Sequence, residues 1–477
     1  MRSVARLVLA PGLAPALAPV LAPVLALALC SILAAPCLSQ PAFTPLGFLD
    51  GDFGPSIAFG VSPDGSTVVG ESNSSQGIQA FRWRRAEGMI GLGDIPGGPF
   101  ASFAYACSAD GSIVVGASDD ATSGEEGTPF RWTEETGMVP LGTLGGPTSY
   151  GQADAITPDG SVIVGASQAP DGIFAFRWTE QTGMASLGDF AGGPALSRAA
   201  GVDAAGQLVV GTGSKISGYD QAFRWTSGGG MVALGSNNFA TAVTPDGTVI
   251  VGSDFQGVYR WTQQTGFVHL GRLYGNLGID RAGAVSADGS VIVGLANYDA
   301  TLGTGAAFVW DSGHGMRDLN LVLANDYGLD LQGLYLLWAL GISADGKVIS
   351  GYGFNPGGEQ EAWVADLRES TGVANGGPFG VDAAARPHLT WSRPNPFTSS
   401  TTIAFRLPRE TPVSLRIFDS AGRLVRTLLD GESLQPGVHA STWDGSGTDG
   451  RTVPAGTYFY RLEADGRIET GKTIAVR

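Results

Sequence analysis

The side chains that could do chemistry in this chain recur at regular intervals along it and do not gather at one site. An Asp stands two residues after a Ser or Thr in six short turns of the form Ser/Thr-x-Asp-Gly, the first of them at Asp64. An Arg precedes a Trp in five aromatic segments, the first at Arg82 and Trp83. Asp side chains in such turns commonly accept backbone N–H groups. A catalytic residue should be singular, so these recurrent residues are interpreted as parts of a repeated structure.

The histidines and the cysteines give no sign of a metal site or of a nucleophile. His269 occupies a variable position equivalent to Ser186 in another repeat, which favours an exposed role. The sequence has no nucleophile elbow, phosphate loop or Cys-x-x-Cys motif. The sequence therefore predicts no catalytic, cofactor-binding or metal-binding residue. Its four histidines lie in different regions without metal-ligand spacing: His269, His314, His388 and His439.

Two further features invite a functional reading that the sequence does not favour. The segment from Asp444 to Gly450 resembles a calcium loop, but it lacks the glycine at the sixth place and the later bidentate Glu, so a hairpin is predicted. Cys107 would be the one cysteine left after removal of the N-terminal segment that holds Cys30 and Cys37. It is predicted to be a small core residue, and no intramolecular disulfide can form.

The charge distribution separates the chain into an acidic body and a nearly neutral C-terminal region. The 477 residues carry a net charge of −16, with 13 basic and 33 acidic residues over 41–366 and 11 basic and 9 acidic residues over 388–477. An acidic body repels phosphate backbones, so nucleic acid is not expected as a partner. The charge is interpreted as a solubility feature, and a diffuse calcium-binding surface is the alternative.

The N-terminus has the pattern of an export signal. Arg2 and Arg6 precede a long apolar stretch, Leu7–Leu33, followed by small residues that suit cleavage near Ala35 or Ser39. Prolines interrupt the apolar stretch, which disfavours a stable membrane-spanning helix. Residues 1–39 are therefore predicted to be a signal peptide, and the mature protein is predicted to be secreted or attached to the cell surface.

The repeat itself predicts the architecture. Each copy contains a small alternating strand, the Asp-Gly turn, a β-branched strand ending in Gly, an aromatic strand and a short fourth strand. Four antiparallel strands at this period are typical of a β-propeller blade. Seven turn glycines mark seven copies, at spacings of 46, 49, 46, 41, 42 and 57 residues: Gly65, Gly111, Gly160, Gly206, Gly247, Gly289 and Gly346. The fourth copy departs from the pattern, because Ala205 stands where the turn Asp is expected.

The two ends of the array predict a closed ring. A fourth strand follows each of the first six copies but not the seventh, and one unpaired copy, Pro45–Leu49, precedes the first. If this N-terminal strand completes the last blade, the ring closes at seven and no terminal edge stays open. We therefore predict a seven-bladed propeller over residues 41–367 in preference to a linear solenoid. Asn320–Asp326 is predicted to be a short surface helix, and Leu329–Leu340 to fill the core or to form an exposed apolar ridge.

The sequence pattern of the repeat resembles that of the HAF family of bacterial extracellular repeats. The resemblance rests on Ala80–Trp83, Gly88-Met89, Leu92–Gly98 and the Ser-x-Asp-Gly turn, and it covers about residues 45–366. It implies an exported repeat protein and implies no established activity.

The C-terminal region has a different pattern. Residues 368–389 are rich in small residues and read as a linker. Residues 390–477 contain alternating strands, as at Thr401–Leu407, and predict a small Ig-like β-sandwich. Several motifs resemble the Ig-like domain of the flagellar hook-capping protein and the type IX secretion sorting domains: Pro394–Phe397, Ile417–Arg423, Thr442–Gly445 and Val453–Tyr460. The resemblance implies a module for export or attachment, through contact with the outer membrane or the secretion machinery.

Two hypotheses for function follow from the sequence. The first is an exported, non-catalytic, monomeric propeller without a cofactor, which presents a binding face to a glycan or a surface protein. The second is an extracellular propeller hydrolase or lyase acting on polysaccharide, which predicts unrepeated acids or an Arg at one mouth of the central channel. Either function should lie where the repeats differ from one another.

Overall fold

The all-β fold that the sequence predicts is confirmed. The computed structural model describes residues 41–50, 54–120, 124–146, 150–192, 195–214, 220–273, 278–299, 303–368, 387–393, 395–407, 409–435 and 437–476. These residues form seven four-stranded antiparallel sheets, followed by one three-stranded and one four-stranded sheet. The predicted signal peptide, residues 1–39, and the linker residues 369–386 lie outside the described residues.

The seven four-stranded sheets are the blades of the propeller, and each blade follows one repeat. The chain begins with β1 (Ala42–Gly47). Blades 1 to 3 comprise β2 (Ser56–Val61), β3 (Thr67–Asn73), β4 (Ile78–Arg84) and β5 (Gly88–Gly91); β6 (Ser102–Cys107), β7 (Ile113–Asp120), β8 (Gly124–Thr133) and β9 (Gly137–Pro140); and β10 (Gly151–Ile156), β11 (Ile163–Ala169), β12 (Gly172–Thr179) and β13 (Gly183–Ser186). Blades 4 to 6 comprise β14 (Ser197–Val202), β15 (Leu208–Ser214), β16 (Asp220–Thr226) and β17 (Gly230–Ala233); β18 (Asn238–Val243), β19 (Ile250–Asp254), β20 (Gly257–Thr262) and β21 (Gly266–His269); and β22 (Ile279–Val285), β23 (Val291–Asp299), β24 (Thr304–Asp311) and β25 (Gly315–Asp318).

The N-terminal strand completes the seventh blade. Blade 7 has the strand order β1, β28 (Gln360–Asp366), β27 (Val348–Phe354) and β26 (Tyr335–Ile342). In the β1–β28 ladder, Phe43 lies opposite Ala365. The ring therefore closes with first and last segments of the array in one sheet, in the arrangement that the count of fourth strands predicts.

A second contact fastens blade 7 to blade 1. The Ser56 hydroxyl accepts a hydrogen bond from the Ala362 amide at 2.9 Å and donates to the Gly47 carbonyl at 2.8 Å. Ser102 makes the equivalent pair of bonds with the preceding blade, to Ala80 and Gly93. The closing junction thus uses the same side-chain bond as an ordinary junction between blades.

A recurrent glycine in the second strand allows the strands to approach closely. A Cβ on Gly70 would lie 1.9 Å from the Ile57 carbonyl oxygen, a separation that no side chain tolerates. Across the sheet, the Gly faces Phe81, whose ring fills the core. One aromatic residue of each third strand is fully buried in this way: Phe81, Phe130, Phe176, Phe223, Tyr259, Phe308 and Trp363.

Backbone hydrogen bonds link neighbouring Ser/Thr-x-Asp-Gly turns. Where the residue before the turn Asp is Ala, its N–H donates a hydrogen bond to the carbonyl of the corresponding residue in the next blade. Where it is Pro, it has no N–H and can only accept. The seven residues at this position are Pro63, Ala109, Pro158, Ala204, Pro245, Ala287 and Ala344. The four bonds are Ala109 to Pro158, Ala204 to Pro245, Ala287 to Ala344, and Ala344 to Pro63, at 2.8–3.0 Å. The last of them joins blade 7 to blade 1.

The segment between blades 6 and 7 is more buried than the sequence suggests. It contains α1 (Leu319–Leu321) and a π-helical turn over Val322–Asp326, so a short helical segment is present where one was predicted. The prediction of a surface helix was wrong in its placement, because Val322 and Leu323 are buried in a core cluster. Leu334 and Leu336 join the same cluster. Apolar burial therefore explains this Leu-rich segment, and it forms no exposed ridge.

The C-terminal domain is a two-sheet sandwich. Its strands are β29 (His388–Arg393), β30 (Thr401–Leu407), β31 (Thr411–Phe418), β32 (Leu424–Leu434), β33 (Gly437–Trp443), β34 (Gly456–Ala464) and β35 (Arg467–Ala475). The sheet orders are β29-β30-β33 and β32-β31-β34-β35. Trp443 is fully buried between the rings of Phe397 and Tyr458, with centroids at 5.3 and 5.1 Å.

Candidate functional site

The recurrent turn aspartates hold the turns together. In the first turn, Asp64 Oδ1 accepts the Ser66 amide at 2.8 Å and the Ser62 hydroxyl at 2.6 Å. The Ser62 hydroxyl in turn accepts the Thr67 amide at 3.0 Å. The same side-chain bonds recur at Asp110, Asp159, Asp246, Asp288 and Asp345. These carboxylates are thus engaged in the turns.

The fourth turn compensates for its missing aspartate. Asp203 stands at the Ser/Thr position of this turn, two residues before Ala205. Its Oδ1 accepts the amides of Gln207 at 2.7 Å and Leu208 at 3.0 Å. One carboxylate therefore accepts the two amides that a hydroxyl and a carboxylate accept elsewhere, so this departure from the repeat is structural.

The recurrent Arg–Trp pair connects neighbouring blades. The Arg82 guanidinium lies over the Trp132 ring, 5.1 Å from its centroid, and pairs with Glu87 at 3.1 Å. Arg224 lies over Trp261 in the same way, at 6.0 Å. Such contacts contribute about 0.5–2 kcal/mol each, depending on burial. These residues are therefore part of the blade junctions.

The remaining candidates from the sequence are placed apart from one another. His269 is exposed and contacts Asp254 at 2.9 Å, and Asp444 holds a hairpin by accepting the Ser446 amide at 2.9 Å. Cys107 is buried, and burial raises the pKa of its thiol to about 12. Within the described residues, no three His, Cys, Asp or Glu side chains are arranged to hold a metal ion, and no helix is long and apolar enough to cross a membrane.

The blades differ from one another most clearly along the central channel. In every blade, the residue of the innermost strand that lies opposite the recurrent Gly of the second strand is a buried alanine: Ala58, Ala104, Ala153, Ala199, Ala240, Ala282 and Ala339. We call this residue the third position and number its neighbours from it. The positions on either side of this alanine show no such constancy. The second position carries Ile57, Phe103, Gln152, Arg198, Phe239, Arg281 and Trp338. The fourth position carries Phe59, Tyr105, Asp154, Ala200, Thr241, Gly283 and Leu340.

These divergent positions create an asymmetric cavity in the channel. Its volume is 630 Å³. Large side chains line it on one side, at Phe59, Tyr105 and Asp154, and small residues, Ala200 and Thr241, line it on the other. Because successive residues rise about 3.3 Å along a strand, the second position lies roughly 7 Å nearer one mouth of the channel than the fourth. We call this mouth, which carries the loops between second and third strands, the loop face.

The aromatic residues form a stepped wall that runs from the loop face into the cavity. The rings of Phe103 and Tyr105 are parallel within 7°, with centroids 6.4 Å apart. The Tyr105 ring meets Phe59 of blade 1 edge to face at 5.2 Å. Phe239, across the channel, is covered by the Arg281 guanidinium at 5.6 Å. One wall therefore offers apolar surface, and the opposite wall carries a cation over its ring.

Two acidic residues line this cavity: Asp220, whose carboxylate accepts the Ser214 hydroxyl at 2.9 Å, and Asp154, on the side of Phe59 and Tyr105. Gln152 Nε2 donates a hydrogen bond to the Asp154 carboxylate at 2.6 Å. Burial raises the pKa of Asp154 to about 7, although the Gln152 bond and the charge of Arg198 act to lower it. Among the described residues, no ion pair to Asp154 is present, because the Arg198 guanidinium stays beyond contact distance. Asp154 is therefore desolvated without a cation in direct contact with its carboxylate.

Glu71 adds a second unrepeated carboxyl group near the same wall. It lies opposite Ile57 in the sheet of blade 1. Burial raises the pKa of Glu71 to about 7. Burial also raises the pKa of the Tyr105 hydroxyl, and the charges of Asp154, Glu71 and Asp119 raise it further. The surroundings of Tyr105 are therefore acidic.

The sequence did not identify this site by residue, although it indicated where to look. The expectation was that function lies where repeats differ, and the unrepeated Asp154 lines the channel cavity together with Arg198. No motif joins these residues, because each comes from a different blade. Alignment of the seven innermost strands on their alanine would have supplied the signal.

The C-terminal domain has a recognisable relative. Residues 392–467 match the family model of the FlgD Ig-like domain. The basal-body rod modification protein FlgD of Salmonella typhimurium is 50% identical over 68 residues, which cover 14% of this chain and 29% of that protein. FlgD of Escherichia coli is 40% identical over 76 residues, which cover 16% of this chain and 32% of that protein. The expected hook-capping Ig-like domain is confirmed, and the match spans about a third of the curated FlgD proteins.

The chain also matches several solved structures at low sequence identity. TolB from Acinetobacter baumannii is 14% identical, with coverage of 64% of this chain and 81% of that chain and a TM-score of 0.37. The β-propeller domain of the Trilobed protease from Pyrococcus furiosus is 11% identical, with coverage of 70% and 96% and a TM-score of 0.38. The propeller assignment itself rests on the strand pairing of the seven blades.

Proposed function

We propose that this chain is an exported, non-catalytic propeller protein that binds a glycan or a surface protein at the loop face of its channel. The observation that carries the proposal is the contrast within one strand. The buried third position is alanine in all seven blades, whereas the neighbouring channel positions differ from blade to blade. A wall that served packing alone would be expected to repeat as the rest of each blade does.

Binding at this face is tested with the full-length chain. Arrays of glycans and of purified surface proteins are probed with the wild type, with Tyr105→Ala and with Gln152→Ala. Both variants should lose the wild-type signal, while Glu135→Gln, in an exposed turn of the opposite face, should keep it. The proposal fails if no ligand binds, or if binding is unaffected by both channel substitutions in variants that keep the wild-type melting temperature.

Export and attachment form the second part of the proposal. The pattern of residues 1–39 supports export, and the resemblance of the repeats to the HAF family supports an extracellular role. The FlgD Ig-like domain is proposed to serve export or attachment, which includes the role of a type IX sorting domain. Residues 1–39 fused to a reporter enzyme that is active only outside the cytoplasm should give activity. Absence of activity, with the fusion present in the cytoplasm, would contradict export.

A second candidate function is polysaccharide cleavage. It is favoured by one observation, the presence of unrepeated Asp154 and Glu71 whose pKa values burial raises to about 7. A carboxyl group with a raised pKa is suited to act as a general acid at neutral pH. Incubation with neutral and uronate polysaccharides, followed by assay of new reducing ends and unsaturated products, distinguishes the two functions. Turnover that Asp154→Asn abolishes would establish the enzyme; binding without turnover would exclude it for the polymers tested.

A further inference from the structure

The channel cavity has the chemistry of a site for a long cationic side chain. We infer that it binds a lysine or arginine side chain of a protein segment, with the charged end at Asp154 and the aliphatic stem along the rings of Phe103, Tyr105 and Phe59. This inference rests on the proposed binding function, and it names the chemical class of partner that the same site takes.

The first step of the argument concerns charge. Asp154 lines the cavity, its one hydrogen bond comes from a neutral amide, and no cation contacts it within the described residues. The carboxyl group of Glu71, whose charge also acts on Tyr105, makes no hydrogen bond or ion pair with any described residue. A carboxylate removed from water is stabilised by a cation that also donates hydrogen bonds. A bound ammonium or guanidinium group would supply both.

The second step concerns shape. The parallel rings of Phe103 and Tyr105 step from the loop face towards Asp154, with centroids 6.4 Å apart. An aliphatic stem with a charged end can lie along such rings, and an aromatic face also attracts a cation. Space for this side chain exists because Ala200 and Thr241 are small, so the cavity of 630 Å³ lies opposite the rings.

The third step concerns the partner. Residues 41–366 carry a net charge of −20, from 13 basic and 33 acidic residues. This field attracts a basic partner and repels an acidic one. The Arg281 guanidinium covers Phe239 across the channel from Phe103 and Tyr105, and its charge disfavours entry of a cation on that side. Charge complementarity therefore favours a basic protein segment that enters along the aromatic wall.

The test uses the full-length chain and three probes at about physiological salt, where weak surface attraction is screened. The probes are tetralysine, tetralysine acetylated on its side chains, and a chitosan tetramer, which carries amines on a sugar. Binding is measured by isothermal titration calorimetry. Tetralysine should bind and its acetylated form should not. Binding should strengthen between about pH 5.5 and pH 8 and release protons, as expected when a cation displaces the proton of Asp154.

Two variants with a matched control locate the binding. Asp154→Asn should weaken tetralysine binding at least about tenfold, as expected for loss of the partner of a desolvated charge. Asp171→Asn makes the same change of charge on an exposed loop of the same blade and should bind like the wild type. Ala200→Trp should block binding by filling the cavity. If Ala200→Trp melts at a lower temperature than the wild type, Thr241→Trp is used in its place.

Three outcomes would overturn the inference. The first is equal weakening by Asp154→Asn and Asp171→Asn, which would mean attraction to the acidic surface alone. The second is tighter binding of the chitosan tetramer than of tetralysine, sensitive to Ala200→Trp, which would make the ligand an amino sugar and leave the proposed binding face standing. The third is no binding of tetralysine. If tetralysine does not bind, the glycan and protein arrays still test the proposed binding function on their own.

Discussion

The closing strand offers the sharpest test of the fold. Phe43, in β1, is 9% exposed, and its ring lies 6.2 Å from that of Trp363, the largest fully buried side chain of blade 7. Truncation of a buried Phe to Ala costs about 3–5 kcal/mol, and the position of β1 at a sheet edge favours the lower end, about 3 kcal/mol. At about 2–4 °C per kcal/mol for a large domain, Phe43→Ala should lower the melting temperature by roughly 6–12 °C.

The control lies in the same strand. Thr44 points to the other face of β1, so Thr44→Ala should change the unfolding free energy by no more than about 0.5 kcal/mol. Melting is followed by circular dichroism and by Trp fluorescence, which reports on Trp363 among others. Deletion of residues 41–50 should destabilise the propeller more than Phe43→Ala. The reasoning is refuted if the deletion and Phe43→Ala both melt with the wild type, because β1 would then contribute nothing to closure.

Three further predictions concern single residues. Asp203→Ala should destabilise the propeller by about 1–3 kcal/mol in chemical denaturation, because it leaves two amides of the fourth turn without an acceptor, and Asp203→Asn should recover part of the loss. Burial holds the pKa values of Asp154 and Glu71 at about 7 in the folded chain, above their unfolded values near ~4, so the folded state binds more protons between these limits. Stability should therefore fall as pH rises through that window. Melting temperatures measured across this pH range should fall in the wild type and fall less steeply in Asp154→Asn. Melting temperatures that do not change with pH in either protein would contradict this. Cys107 should resist a thiol reagent at about pH 8 until the chain unfolds, since its thiol is buried, and Cys107→Val should change stability by less than about 1.5 kcal/mol; rapid labelling of the folded protein would contradict this.

The architecture could be predicted because the repeat records it many times. Seven turn glycines gave the number of blades, and the unpaired strand at Pro45–Leu49 gave the mode of closure. The turn at Asp203 shows the limit of pattern matching: the sequence showed a missing Asp at Ala205, and only the geometry shows that one carboxylate accepts both amides. The helical segment at Val322 was misplaced because its burial depends on contacts with distant strands.

The candidate site could not be predicted by residue. Asp154, Tyr105 and Arg198 come from three blades, about 50 residues apart along the chain, and Asp154 and Tyr105 each occur once at their strand position among the seven copies. A single-sequence pattern identifies what recurs, whereas this site consists of what does not. Its electrostatics depend on desolvation within the channel, which sequence spacing does not report.

The chain of hydrogen bonds among the turns imposes a parity on the ring. Pro and Ala alternate at the donor position from Pro63 to Ala287, but seven is odd, so alternation must fail at one junction. It fails between Ala287 and Ala344, so Ala344 accepts the Ala287 amide and donates its own amide to the Pro63 carbonyl. The mismatch that an odd ring forces thus supplies a backbone bond between its first and last blades. A strictly alternating ring of this kind would need an even number of blades.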